Sequence, residues 1–166
     1  TLGDHAIAVM GTRYGLDLPD TLQTDCAPLH KMAHKLLETF GKDIAFFRDP
    51  TRGGLATTLQ EIANSAQKGI RLQESAIPVR AEVQAVCQVL GYDPLYLANE
   101  GKMIAIVRAD VADEVVQMMR TFTEGRDAVI VGDVVNGNAG KVGLQTAVGG
   151  IRLLDMLGED QVPRIC

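Results

Sequence analysis

Tryptophan is absent from this 166-residue sequence, and aromatic residues make up only 4% of it. Cysteine is scarce as well: three residues at irregular spacing, with no CxxC pair. That excludes a disulfide scaffold and a zinc ribbon, and it points to reduced thiols in a cytoplasmic setting. No apolar run approaches the roughly 18 residues that span a bilayer, and no secretory leader pattern is visible. Positive charge is in deficit, with 16 Lys and Arg against 21 Asp and Glu and a formal net charge of -5. General nucleic-acid binding and adsorption to an anionic membrane both need positive surface, so both are set aside. What remains is ordinary globular composition, 46% hydrophobic, in a length that suits one domain with a real core.

The pattern along the chain divides into three parts. "TLGDHAIAVM" starts without Met and runs at once into an apolar segment, Ala6 to Met10, that reads as a strand. With so little before it, the sequence reads as a piece of a longer chain, with Thr1 a boundary. "GTRYGLDLPDTLQTDCAP" has turn residues and little periodicity, and reads as a linker. Helical spacing then predicts a helix through Leu29, Met32, Leu36 and Phe40, closed by Gly41. "DIAFFRD" reads as a short buried strand, and a second helix carries Leu55, Leu59, Ile62 and Ala63 on one face. "GIRLQE" follows as a strand, and a third helix shows Val83, Val86, Cys87 and Leu90. After the strand "KMIAIVR", Asp110 is a fair N-cap for a fourth helix. "AVIVGDVV", "KVGLQTA" and "GGIRLL" read as closing strands joined by Gly/Asn turns. This order favours an α+β fold, a mixed or mostly antiparallel sheet with helices packed on one face. The expected division is 1–27 as the end of a preceding domain with its linker, 28–154 as the α+β domain, and 155–166 as a mobile tail.

Chemistry is concentrated in "FFRDPTRGGLATTL". A strand runs out into Asp49, Pro50, Thr51 and Arg52, and Gly53 and Gly54 then open a helix. Helix N-termini expose unpaired N–H groups that suit a phosphate, and glycines let the backbone approach an anion. A tight β–α turn capped by Asp49 or Thr51 explains the same residues. In "YLANEGKMIAIV", Asn99, Glu100 and Gly101 stand before a strand, where a carboxylate could serve acid–base work or Mg²⁺, or simply make a polar turn. "NGNAGKVG" imitates a P-loop ending but has Val135 and Val142 where Gly and Ser or Thr are needed, so it reads as a hairpin turn. His30 and His34 could pinch a metal with Cys26, yet "HKMAH" lacks a protease glutamate; no metal site is assigned. Cys87 reads as core, and Cys26 as a packed thiol. Cys166, the last residue, follows a proline-containing segment that could carry a nucleophilic thiol into a site.

Taken together, "GDHAIAVM", "TDCAP", "RDPTRGGLA", "LANEGK" and the terminal "PRIC" resemble the HypE family of hydrogenase maturation proteins. These are carbamoyl dehydratases of the aminoimidazole ribonucleotide synthetase and selenophosphate synthetase superfamily. The resemblance runs through the whole chain, and "PRIC" is its most discriminating motif. It implies that Cys166 receives a carbamoyl group from a HypF-type carbamoyltransferase. ATP then activates the amide oxygen, and loss of phosphate leaves a thiocyanate. Its cyano group goes to a HypC–HypD-type scaffold for the iron centre of nickel–iron hydrogenase. Glu100 is the implied base, assisted by Asn99, and Asp49, Thr51, Arg52, Gly53 and Gly54 face the phosphates of ATP. ATP and Mg²⁺ are implied to bind mainly through an N-terminal half with no counterpart here, and that half also builds the homodimer. Another ATP-dependent synthetase of the superfamily is the alternative enzyme. A non-catalytic docking module that presents its tail to partners is the alternative outside catalysis.

Overall fold

The computed structural model describes residues 1–158; residues 159–166, and with them the candidate nucleophile Cys166, lie outside the described residues. The helices are α1 (Asp4–Tyr14), α2 (His30–Phe40), α3 (Gly54–Ala66), α4 (Ala81–Leu90) and α5 (Ala112–Met119). The strands are β1 (Ile44–Arg48), β2 (Gly69–Gln73), β3 (Ile104–Val107), β4 (Gly132–Val135), β5 (Val142–Gln145) and β6 (Ile151–Leu154). Among the described residues no helix is long and apolar enough to cross a membrane.

The first element corrects the expectation of a strand over Ala6 to Met10: it is a helix. A short apolar run fits either element, and periodicity cannot separate a buried strand from a buried helix. Packing decides. Ala6, Ile7 and Met10 share one helical face and bury against Val83 and Cys87 of α4 and against Leu97. Gly15, left-handed at φ 62°, closes α1 by donating to the Gly11 carbonyl. Residues 15–29 then run without helix or strand, whereas Gly11 to Tyr14, expected in the linker, belong to α1.

β1 and β3 pair antiparallel as a two-stranded sheet, with a register shift between Ile44 and Phe46. Met32, Leu36 and Phe40 of α2 and Val115 and Met119 of α5 build a core over it, with Ile44 and Phe47 packed against them. β1 is not the buried strand that its composition suggests. Ala45, Phe46 and Arg48 are exposed, because a two-stranded sheet packed against helices on one side leaves its other face open. Asp110 does not cap α5 either. A 3-10 turn, Ala109–Val111, precedes the helix, and the Asp110 carboxylate accepts from Arg108 Nε at 2.9 Å. Gly41, rather than ending α2 in a left-handed turn, keeps right-handed angles and starts a 3-10 turn, Gly41–Asp43.

The four-stranded sheet has the order β4-β2-β5-β6, and only β2 and β5 are parallel. α3 lies on one face, setting Leu55, Leu59, Ile62 and Ala63 against Ile70, Leu72, Val142, Leu144 and Leu154. Leu72, Leu144 and Leu154 are at most 2% exposed, and burying each such side chain contributes about 2 kcal/mol. The other face carries the Arg71–Asp133 pair at 2.9 Å and leaves Ile151 and Leu153 exposed. The strand order also corrects the reading of "NGNAGKVG". β4 and β5 flank β2, so this segment is no hairpin but wraps the start of β2, where Gly140 N donates to Lys68 O at 3.0 Å and Gln60 Nε2 to Gly140 O at 2.7 Å. The hairpin lies one connection later, between β5 and β6, closed by Thr146 N donating to Gly150 O at 2.8 Å.

Candidate functional site

Asn99 joins three motifs that are far apart in sequence. Its side chain is 1% exposed. The Oδ1 atom accepts from Gly3 N at 2.8 Å, while Nδ2 donates to Leu97 O at 2.8 Å and to Pro50 O at 3.2 Å. Gly3 belongs to "GDH", Pro50 to "DPTRGG" and Asn99 itself to "NEGK". Gly3 N and Leu97 O are thereby paired, and Pro50 O, which also accepts from Asn99 N at 3.2 Å, is engaged a second time, making a fixed polar node. With these bonds made to backbone, Asn99 holds the turn in place.

The next residues are held from the other side. Gly101 has φ 59°, and a Cβ there would collide with the Asp25 carbonyl and the Ala27 amide. Lys102 forms an ion pair with Asp25, the two side chains being 20% and 19% exposed. The Lys102 ammonium has its pKa lowered, chiefly by burial, with the Asp4 and Asp127 carboxylates opposing that shift. Asp4 is itself buried, 3.6 Å from Arg80 Nη1. Asp4, Asp25, Arg80 and Lys102 are among the charged side chains lining a cavity of about 1150 Å³, with Leu59, Ile104 and Met119 among its apolar ones. Glu100 is half-buried between the two fixed points, and among the described residues its carboxylate makes no hydrogen bond or ion pair. An unengaged carboxylate on a rigid backbone suits a general base.

The "DPTRGG" turn lies across Asn99. Asp49 and Arg52 are exposed, Thr51 is half-buried, and Gly54 N donates to Thr51 O at 3.1 Å. Gly53 and Gly54 both take positive φ, 71° and 62°. Gly54 is required for a reason other than anion approach: a Cβ there would meet the carbonyl oxygens of Leu95 and Leu97. The chain also returns here after β6. Leu157 N donates to Thr57 Oγ1 at 3.2 Å in the first turn of α3, and Tyr96 Oη donates to Asp155 O at 3.0 Å.

Other candidates fall elsewhere. Cys26 is exposed, correcting the packed reading, and stands by Thr24 Oγ1 at 3.2 Å and His5 Nδ1 at 3.6 Å. It does not join His30 and His34; among the described residues no group of three or more His, Cys, Asp or Glu could hold a metal. Cys87 is core as expected, and burial pushes its thiol up to about 11. Sequence reasoning missed Asp4, Asp25, Lys102 and Thr57. Asp4 and Asp25 lie within recognised motifs and Lys102 ends one, but nothing in their spacing shows that they meet.

The chain matches the family model for the AIR synthase related protein, C-terminal domain, over residues 1–145. It is 45% identical over 166 residues to the carbamoyl dehydratase HypE of Bradyrhizobium diazoefficiens, covering all of this chain and 48% of that protein. Hydrogenase maturation protein HypE in complex with ATP superposes with a TM-score of 0.94 at 42% identity, covering 100% of this chain and 50% of that one. A HypE–HypF complex superposes with a TM-score of 0.88 at 38% identity, over 95% of this chain and 50% of the other. The chain thus spans about half the length of these relatives. It belongs to the AIR synthase related family, as a C-terminal domain of the HypE type.

Proposed function

We propose that this domain is the C-terminal part of an ATP-dependent carbamoyl dehydratase whose substrate is its own last residue. A HypF-type carbamoyltransferase loads Cys166 as the S-carbamoyl form. The γ-phosphoryl group of ATP passes to the amide oxygen as nitrogen gives up one proton. Loss of the second proton and of phosphate leaves the thiocyanate, with ADP and phosphate released. The cyano group then goes to a HypC–HypD-type scaffold complex for the iron centre of nickel–iron hydrogenase.

The roles follow from the groups available. An amide oxygen leaves poorly until it is phosphorylated, and the nitrogen must lose protons, so a base is needed. Glu100 takes that part, and Asn99 keeps its backbone in place. Asp49, Thr51, Arg52, Gly53 and Gly54 form this domain's side of the triphosphate site. As the family resemblance implies, Mg²⁺, most of the ATP contacts and the homodimer interface are assigned to the other half of the relatives' length. Residues 1–27 are its continuation and linker, 28–154 the domain proper, and 155–166 the segment that carries the thiol.

The observation that carries this reading is the Asn99 node. It holds the turn bearing Glu100 against the "DPTRGG" turn, beside which the chain leading to Cys166 emerges. Cys166 stands nine positions after Leu157, and an extended chain of that length reaches at most about 30 Å. The test uses full-length protein and intact mass. Glu100→Gln should still be carbamoylated at Cys166, with dehydration slower by at least ~10²-fold; Cys166→Ala should take no carbamoyl group. Near-normal cyanide formation by Glu100→Gln would move the base elsewhere.

A further inference from the structure

Two hydroxyl groups beyond the Asn99 node are spent on the same short stretch of chain. β6 ends at Leu154, 2% exposed in the core, and the sheet asks nothing of the residues after it. Asp155 and Leu157 are nevertheless tied down, one through its carbonyl to Tyr96 Oη and the other through its amide to Thr57 Oγ1. Neither hydroxyl is needed for packing. Thr57 is 8% exposed and stands off the Leu55–Leu59–Ile62 stripe of α3, and valine there has the same shape. The Tyr96 ring packs against the core beside α3, which phenylalanine would do equally well. A helical threonine ordinarily turns its hydroxyl back to the carbonyl four residues earlier; here it accepts from a chain 100 residues away.

The place of this strap gives it meaning. Gly53 packs directly on the Thr57 side chain, and Gly54 abuts the carbonyls of Leu95 and Leu97, which flank Tyr96. The strap therefore runs between the "DPTRGG" turn and the segment that leads into Asn99 and Glu100. We propose that Thr57 and Tyr96 are positioning residues that anchor the root of the C-terminal segment, so that the chain carrying Cys166 sets out from beside the candidate reaction site. This rests on the reading of Cys166 as the carbamoyl carrier. For a tethered group, the position of the root and the length of the tether set the effective concentration at the site. Release from Thr57 and Tyr96 moves the last fixed point back to Leu154, lengthening and redirecting the tether. Loading by a separate carbamoyltransferase does not depend on that root in the same way.

The test compares full-length protein with its isosteric Thr57→Val, Tyr96→Phe and doubly substituted variants. Hydrogen exchange of the 155–158 stretch reads the anchor itself, and should quicken by about 3- to 10-fold in the double variant, the factor carried by hydrogen bonds of ordinary strength. Intact mass reads two rates. Single-turnover dehydration of S-carbamoyl Cys166 should fall by about 3- to 10-fold, while carbamoylation in trans stays unchanged or rises. Unchanged exchange, or dehydration at the parent rate in the double variant, overturns the anchor. So does a joint fall of both steps that follows a lowered melting temperature, since that is loss of fold. If the parent protein itself does not dehydrate the group on Cys166, the proposed function fails, and exchange still reports on the anchor separately.

Discussion

At the scale of single residues, burial decides what each thiol can do. Cys87 lies fully inside the α1–α4 core, and its pKa is raised from 9.0 to about 11, first by burial and then by the Asp93 carboxylate. Cys26 is exposed beside an imidazole and a hydroxyl. The folded state thus binds the Cys87 proton more tightly than the unfolded state. Its stabilising effect is complete below pH 9.0 and is lost as pH rises towards 11. Between those values the stability of the parent should fall more steeply than that of Cys87→Ala, by up to about 1.4 kcal/mol per pH unit. Urea titrations at a series of alkaline pH values measure the difference, and parallel slopes would contradict it. At neutral pH a thiol reagent should label Cys26 in the folded protein and Cys87 only after unfolding.

Between elements, the contacts that matter are made by turns. The "NEGK" turn is pressed onto the linker so closely that Gly101 has no room for a side chain, and the Lys102–Asp25 pair closes the same contact. Gly91 offers a control: its φ is also positive, 71°, but a Cβ there would meet nothing. Alanine at Gly91 should cost only the left-handed backbone strain, about 1 kcal/mol. Alanine at Gly101 adds a collision with backbone on top of that strain and should cost at least ~2 kcal/mol. Equal midpoint shifts for the two variants in urea would mean that the contact between turn and linker gives way freely, and that Glu100 is not held from that side.

For the molecule as a whole, half of the relatives' length lies outside this chain. The described residues line a cavity in which Asp4 stands 3.6 Å from Arg80 and Asp25 pairs with Lys102. Such a domain should unfold cooperatively on its own, because each of its three apolar clusters is built from several elements. It should bind ATP weakly or not at all. A calorimetric titration showing micromolar affinity for residues 1–166 alone would make the "DPTRGG" turn a self-sufficient site.

Composition and periodicity determined by themselves the α+β class and the helices α3 and α4, and the resemblance of motif strings indicated the family. These are legible because helical stripes and turn residues act locally, and because motifs such as "NEGK" and "PRIC" are read as strings. The α1 helix was not legible, since five apolar residues bury equally well in either element until α4 supplies the other wall. Nor was the wrapping of β2 by the "NGNAGK" segment, because strand order depends on which neighbour each strand finds. At the site, Glu100 and the glycine turn stand out in sequence, whereas their meeting through Asn99, the Asp25–Lys102 contact and the return of Leu157 to Thr57 do not. Those contacts join residues 49, 77 and 100 positions apart. Only the folded chain brings them within hydrogen-bonding or ion-pairing distance, and there burial makes each unpaired polar group costly enough to fix its partner.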